Sequence, residues 1–284
     1  MQNKFQTNYQ LLDCGKEEKL EKFGDLIIRR PCPQATWQRA LAPDLWANYH
    51  ARYQIDGKQW EIAKPARLPN FIFNQLQLKL KFSPNRQIGV FPEQMPNWQW
   101  LQKYLADQKA PLKILNGFAY TGAASLAAAS QNSLHQVTHL DAAPASLNWA
   151  KTNFRLSLPQ NNNLRWITDD ILTFLQREKK RQNFYDGFIL DPPAFGRAKK
   201  SIWKIERDLP KLMKLLDSLL SKNPRFIILS CHHPNLSANH LAQMLQKLSN
   251  LPSGKLEKFP LIISSPKGND LPAGECVRWQ SKQN

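Results

Sequence analysis

The stretch "LKILNGFAYTGAAS" occupies residues 112–125. An apolar run gives way to Asn116 and Gly117, then to a turn closing at Gly122, then at once to a run of small residues. That order reads as a buried strand feeding a helix through a tight turn. Working outward, the same unit recurs. Apolar strand candidates "LKILNGF" (112–118), "QVTHLD" (136–141), "LRWIT" (164–168), "YDGFILD" (185–191) and "RFIILSC" (225–231) stand in series. Between and after them lie the helical stretches "AASLAAASQ", "PASLNWAKTNFRLS", "DILTFLQREKK", "IERDLPKLMKLLDSLLS" and "SANHLAQMLQKLS". Strand–helix alternation of this kind predicts an α/β fold built on a doubly wound parallel sheet. The alternation breaks at the end, where "KFPLIISS" (258–265) and "ECVRWQ" (275–280) predict a closing hairpin and bring the sheet to seven strands.

Upstream the pattern is different. Residues 1–88 lack helical periodicity and carry short strand-like pieces such as "DLIIRR", "QWEIAK" and "LQLKLKF" between Pro-rich turns. They predict a small β-rich domain, leaving 89–284 for the second domain, which "MPNWQWLQKYLADQ" enters as a helix.

Composition bounds the function. The 284 residues are 42% hydrophobic, enough for a globular core. The start "MQNKFQTNYQLLD" has no signal-peptide core, and no apolar run approaches a membrane span, so no membrane role is expected. The four cysteines form no CxxC, which argues against a metal knuckle or a disulfide framework and fits a reducing cytoplasm. A net charge of +17 predicts a polyanionic partner, with nucleic acid the commonest. The nine tryptophans add rings able to stack on unpaired bases, although most belong to the core. A basic but unspecialised protein is the bland alternative.

In doubly wound sheets ligands sit beyond the carboxyl ends of the strands. The first strand ends in Asn116, Gly117, Phe118, Ala119, Tyr120, Thr121 and Gly122, a turn that lets backbone approach a ligand and offers a helix N-terminus to an anionic group. The second ends in Asp141, suited to the two ribose hydroxyls of a nucleoside cofactor; an N-cap before Pro144 is the alternative. The third ends in Asp169 and Asp170, one suited to an adenine amino group and the other to a helix cap. The fourth ends in Asp191-Pro192-Pro193-Ala194-Phe195, where the prolines fix φ and Phe195 can stack on a flat ring drawn out of its stack. Arg197, Lys199, Lys200 and Lys204, with Trp203 among them, read either as phosphate or base contacts or as a solvated helix start. Arg29 and Arg30 extend the basic character into the first domain.

Together these pieces resemble the class I S-adenosylmethionine-dependent methyltransferases, with their Rossmann-like sheet. More narrowly, "VFPEQMPNW", "LNGFAYTGAAS", "THLDAAPASLNWAKTNF", "WITDDILTFL" and "YDGFILDPPAFGR" resemble the large-subunit ribosomal-RNA cytosine-C5 methyltransferases and their stand-alone bacterial relatives. The resemblance implies S-adenosyl-L-methionine as cofactor. It places the methionine end at Phe118–Gly122, the ribose at Asp141, the adenine at Asp169 or Asp170, and the target base against Asp191–Phe195. Gln94, after Glu93, matches a family stretch that closes over the cofactor, although Met95 stands where an arginine is usual. Gly117 replaces a bulkier residue, and the chain has no room for the PUA domain that begins the better-known enzymes.

The chemistry leaves two routes open. Carbon-5 of cytosine needs a thiolate adding at carbon-6, and Cys231, ending the fifth strand, is the candidate, with His232 and His233 beside it. A small core residue is the alternative reading of Cys231. Without it, Asp191 and the Pro192 segment would orient a nitrogen, as in guanine N-methylation. A methyltransferase of protein or small molecules, a nicotinamide-dependent oxidoreductase, or an RNA-binding protein without catalysis would share parts of the pattern. The Asp-Pro-Pro stretch has no use in hydride transfer.

Overall fold

The computed structural model describes residues 5–65, 67–131, 133–160, 163–197 and 202–282. The chain forms two compact units, Met1–Met95 with Ile262–Ala273, and Pro96–Leu261 with Gly274–Asn284. The division expected after residue 88 falls after residue 95 here, and the tip of the closing hairpin goes with the first unit.

In the first unit β1 (Tyr9–Gly15), β2 (Glu18–Phe23), β3 (Leu26–Pro31), β4 (Ala51–Gln54) and β5 (Gln59–Ile62) form a sheet in that order, with α1 (Pro43–Ala47) between β3 and β4. A separate hairpin pairs β6 (Asn70–Phe73) with β7 (Leu76–Lys79). The charges at the centre of this unit are paired. Glu21 bonds Arg30 Nε at 2.5 Å and Tyr9 Oη at 3.0 Å, and Lys19 Nζ lies 3.1 Å away. Arg30 is therefore inside the fold, 4% exposed, and does not extend a surface patch. Burial alone would raise the Glu21 carboxyl, but the Arg30 and Lys19 charges bring it down to about 2 from its ordinary 4.5. A carboxyl lowered in this way contributes stability fully present above pH 4.5 and lost as pH falls toward 2. Urea denaturation across that range should show the loss as a falling midpoint.

Asp13 explains why the hairpin tip joins this unit. Its Oδ1 accepts from the backbone N–H of Cys14 and Asn269, both at 2.9 Å. Its Oδ2 accepts from the N–H groups of Ala40 and Leu41 and from Trp46 Nε1.

The second unit begins with α2 (Met95–Ala106) and contains β8 (Lys113–Gly117), α3 (Ala123–Ala129), β9 (Gln136–Asp141), α4 (Pro144–Ser157), β10 (Leu164–Thr168), α5 (Ile171–Lys180) and β11 (Gly187–Leu190). There follow β12 (Phe195–Arg197), β13 (Ile202–Lys204), α6 (Ile205–Asp217), β14 (Phe226–Cys231), α7 (Ala238–Gln246), β15 (Gly254–Ile263) and β16 (Leu271–Ser281). Its sheet has seven strands in the order β10-β9-β8-β11-β14-β16-β15. The first five are parallel neighbours and β16 is antiparallel to β14. The α/β architecture read from the sequence is the one observed. The β12–β13 hairpin was not foreseen. Among the described residues, no helix is long and apolar enough to cross a membrane.

Side-chain alternation along the strands separates two faces. Leu115, Phe188, Leu190, Ile227 and Leu229 join α5, α6 and α7 in one buried cluster. Gly117 belongs to this packing: a Cβ there would lie 2.7 Å from Ile171 Cδ1 and 2.9 Å from Leu190 Cδ2. Gly117→Val should cost roughly 1–3 kcal/mol of unfolding free energy by overpacking, read from chemical denaturation.

Candidate active site

Register puts the strand ends on one line. Ile167 pairs with Leu140, Leu140 with Gly117, Gly117 with Leu190, and Leu190 with Leu229. One residue on, Thr168, Asp141, Phe118, Asp191 and Ser230 form the next row across five adjacent strands. Neighbouring strands lie about 4.8 Å apart, so Asp141 and Asp191, on strands flanking β8, stand roughly 10 Å from one another. The strand order reverses between β8 and β11, the position where such sheets bind ligands.

The turn after β8 is backbone shaped for close approach. Phe118, Tyr120 and Gly122 all take positive φ, at 56°, 47° and 90°. Two of these are bulky residues that adopt the left-handed region only when their surroundings hold them there, a strain typical of ligand-binding turns. Asp141 supplies part of that hold: its Oδ2 accepts from Tyr120 N–H and its Oδ1 from Ala143 N–H, each at 2.8 Å. Ala143, not Asp141, is the N-cap position of α4. Each carboxylate oxygen keeps a lone pair for a further donor. Burial pushes the Asp141 acid up, and the two N–H groups oppose that shift. A half-buried carboxylate with remaining acceptor capacity suits the paired hydroxyls of a ribose.

Below the turn, Thr121 O accepts from Asn153 Nδ2 at 2.9 Å, and the Asn116 amide meets Ser125 Oγ at 2.8 Å. Ser125 Oγ in turn lies 3.0 Å from His139 Nδ1. Asn116, 3% exposed, supports the turn from beneath. His139 is wholly buried, and desolvation lowers it to about 3, so it is neutral.

The third strand's two acids divide their work. Asp170 caps α5, accepting from Thr173 N–H at 2.9 Å and Thr173 Oγ1 at 3.0 Å. Asp169 accepts from Asp170 N–H and is ion-paired with Arg177. Asp169 is therefore the acid left at the strand tip. Gln94 lies in the first unit, buried in the 3-10 turn Pro92–Gln94.

Asp191 is held from β14. Ser230 Oγ donates to its Oδ1 at 2.8 Å, and His232 Nε2 lies 3.2 Å from Oδ1 and 3.3 Å from Oδ2. Trp203 Nε1–H donates to Pro193 O at 2.7 Å, and Ile205 N–H to Ala194 O at 3.1 Å. The segment after the prolines is thereby pinned to β13 and α6. Trp203 is 5% exposed, with its ring edge-on to Phe118 at 4.8 Å between centroids. It is a buried brace and not a platform for a base, because its indole N–H is used within the fold and its ring is closed off from solvent. Phe195 is 52% exposed, with the Arg197 guanidinium 5.8 Å from its ring centre. Arg197 and Lys204 are exposed; Lys199 and Lys200 lie outside the described residues.

Cys231 occupies a different environment. It is 1% exposed and belongs to the apolar cluster on the α5–α7 side. Burial pushes its thiol up, opposed in part by the His233 N–H bond, with a smaller upward push from the Asp191 charge. Ser230, the residue before it, points to the other face of the sheet and is the one that meets Asp191. The sequence grouped His232 with Cys231; the structure joins His232 to Asp191 instead. Alternation along "FIILSC" together with parallel pairing to "GFIL" carried that signal for Ser230.

The profile of the S-adenosylmethionine-dependent methyltransferases matches residues 15–250. The chain belongs to this family. A SAM-dependent methyltransferase from Agrobacterium tumefaciens shares 31% identity at a TM-score of 0.89, over 97% of this chain and 91% of that one. The ribosomal RNA large subunit methyltransferase K/L of Hahella chejuensis is 33% identical over 147 residues, 51% of this chain and 19% of its own length. The ribosomal RNA large subunit methyltransferase I of Klebsiella pneumoniae is 24% identical over 222 residues, 75% of this chain and 54% of its own length. The chain thus spans between about a fifth and about half of these curated relatives. The family's cofactor, S-adenosyl-L-methionine, fits the donor set present: a left-handed turn with small Ala119 at its centre and a carboxylate at the second strand tip. Bound there, the sulfonium supplies an activated methyl group.

Proposed function

We propose that the protein methylates a nitrogen of a base in RNA, with ribosomal RNA as the substrate class and the cytoplasm as its site of action. The observation that carries this reading is Asp191: its carboxylate is oriented by Ser230 and His232 beside an exposed Phe195, in line with Asp141 along the strand ends. Phe195 would stack on the extruded base, and Asp191 would accept from its amino or ring N–H. Pro193 O is already engaged by Trp203, so the carbonyl offered to the base is that of Pro192. So held by Asp191, Pro192 O and Phe195, the base would present its nitrogen lone pair to the methyl group that a bound cofactor would supply, and the N–H proton given up by that nitrogen would pass to solvent. Placement carries the rate, since no covalent intermediate is needed. The Asp141 and Phe118–Gly122 positions would hold ribose and methionine, and Asp169 the adenine. Exposed Arg197 and Lys204, with Lys199 and Lys200, would contact RNA phosphates.

The same arrangement weighs against cytosine-C5 methylation, because that route requires a thiolate and the Cys231 thiol is buried and raised. Cys231→Ala should therefore keep turnover within about threefold, since no step here uses a thiolate. Nucleoside mass analysis after incubation with rRNA and labelled cofactor checks this. A 5-methylcytidine product that disappears in the variant would overturn the nitrogen assignment.

A further inference from the structure

Glu18 in β2 is surrounded by arginines from three parts of the chain. Arg29 of β3 donates from Nε to Oε1 at 2.9 Å and from Nη2 to Oε2 at 2.5 Å. Arg39 also bonds Oε2, and Arg52 of β4 stands 3.5 Å from Oε1. Three guanidiniums against one carboxylate leave the cluster positive. Glu61, opposite Arg52 in the β4–β5 register, accepts from Gln54 at 2.7 Å, and Asp13, whose charge also acts on Arg39, is taken up by five other donors, so Glu18 is the acid that bonds these arginines directly. Arg29 and Arg52 are paired directly across β3 and β4, where like charges oppose strand association unless an anion lies between them.

The cluster is ordered in advance. Arg39 lies 4.0 Å over the ring of Trp46 and Arg29 lies 5.7 Å from it. Trp46 is 1% exposed and fixed by its bond to Asp13, so the stacked guanidinium rests on an immobile ring. The Nε atoms of Arg39 and Arg52 are buried, and neither has a hydrogen-bond partner. Desolvation, together with the Arg29 and Arg52 charges, pushes the Arg39 guanidinium down from its ordinary value despite Glu18 and Asp13. Guanidinium forks that outnumber the carboxylate they bond and are held in fixed planes are what an anion site has before its anion arrives.

We propose that Arg29, Arg39 and Arg52, arranged by Glu18, form a phosphate site in the β-rich unit that takes a backbone phosphodiester of the RNA substrate. The site rests on the RNA reading above and is separate from the methyl-transfer residues.

The test uses the full chain and a fluorescein-labelled single-stranded oligoribonucleotide, titrated by anisotropy from about 50 to 200 mM salt. Arg39→Gln with Arg52→Gln should lower the slope of log affinity against log salt by about 0.7, the value of one single-strand phosphate contact, and weaken binding at least tenfold at about 100 mM salt. Arg52→Gln alone, at a side chain 38% exposed, should weaken binding severalfold with a smaller change in slope. Arg52→Lys should keep the slope and lose affinity severalfold, because charge remains and the fork does not. A wild type that binds RNA beside a folded double variant with unchanged slope and affinity would overturn the site alone. Absence of RNA binding by the wild type would overturn the RNA reading and the site with it. Inorganic phosphate, added at constant ionic strength, should compete weakly; displacement at concentrations comparable with the oligonucleotide would assign the site to free phosphate and overturn the proposal.

Discussion

Asp191→Ala is expected to lower kcat for methyl transfer to RNA by about 10²–10³-fold, because it removes the acceptor that aligns the base nitrogen with the methyl carbon. The fold should survive the change. Ser230 Oγ, which donates to Asp191, has a second acceptor in Leu190 O at 3.5 Å, and His232 is partly exposed and can turn to water. Cofactor affinity should weaken by less than tenfold, since the positions proposed for ribose and methionine lie on β9 and after β8. Asp191→Asn keeps the shape and one acceptor oxygen, so its loss should be nearer tenfold. Single-turnover assays with labelled cofactor, beside calorimetry for cofactor binding, separate these effects. A folded Asp191→Ala enzyme within threefold of wild type would remove the carboxylate from the chemistry.

Asp141→Ala should act on binding before chemistry. Two hydroxyl bonds to a carboxylate are worth about 1.5–3 kcal/mol each, so losing both should weaken S-adenosyl-L-methionine binding by 10² or more. A second effect follows from the turn. The N–H groups of Tyr120 and Ala143 lose their acceptors, and the left-handed residues at 118 and 120 lose an anchor. Thermal stability should fall alongside affinity, and Asp141→Asn should restore part of it by keeping one acceptor. Calorimetric titration with S-adenosyl-L-methionine on the folded variant is the measurement. A dissociation constant within threefold of wild type would place the ribose elsewhere.

Much of the second unit is legible in the chain because its strands are buried on both faces. Such strands read as continuous apolar runs, and "GFIL", "FIIL" and "KIL" are followed by the residues that form the ligand row. Asp141, Asp191 and the Phe118–Gly122 turn can be found this way because they are strand tips, and a strand tip is marked by where the apolar run stops. The first unit is less legible. The β1–β2 hairpin turns at Lys16 and Glu17, both at positive φ with no glycine or asparagine to announce it. Its strands also carry charges, Glu21 and Arg30 among them, that are buried only because each finds the other.

By itself, then, the order of residues determined the strand–helix series, the seven-stranded sheet and the acids at its edge, since local apolar runs and turn chemistry encode them. Only the tertiary structure decided how those residues divide their work: Asp170 as cap and Asp169 as the acid left over, His232 with Asp191, Trp203 and Cys231 turned inward. The physical reason is that a side chain's partner lies across strands whose register no local pattern states. A one-residue alternation sends Ser230 toward Asp191 and Cys231 into the core.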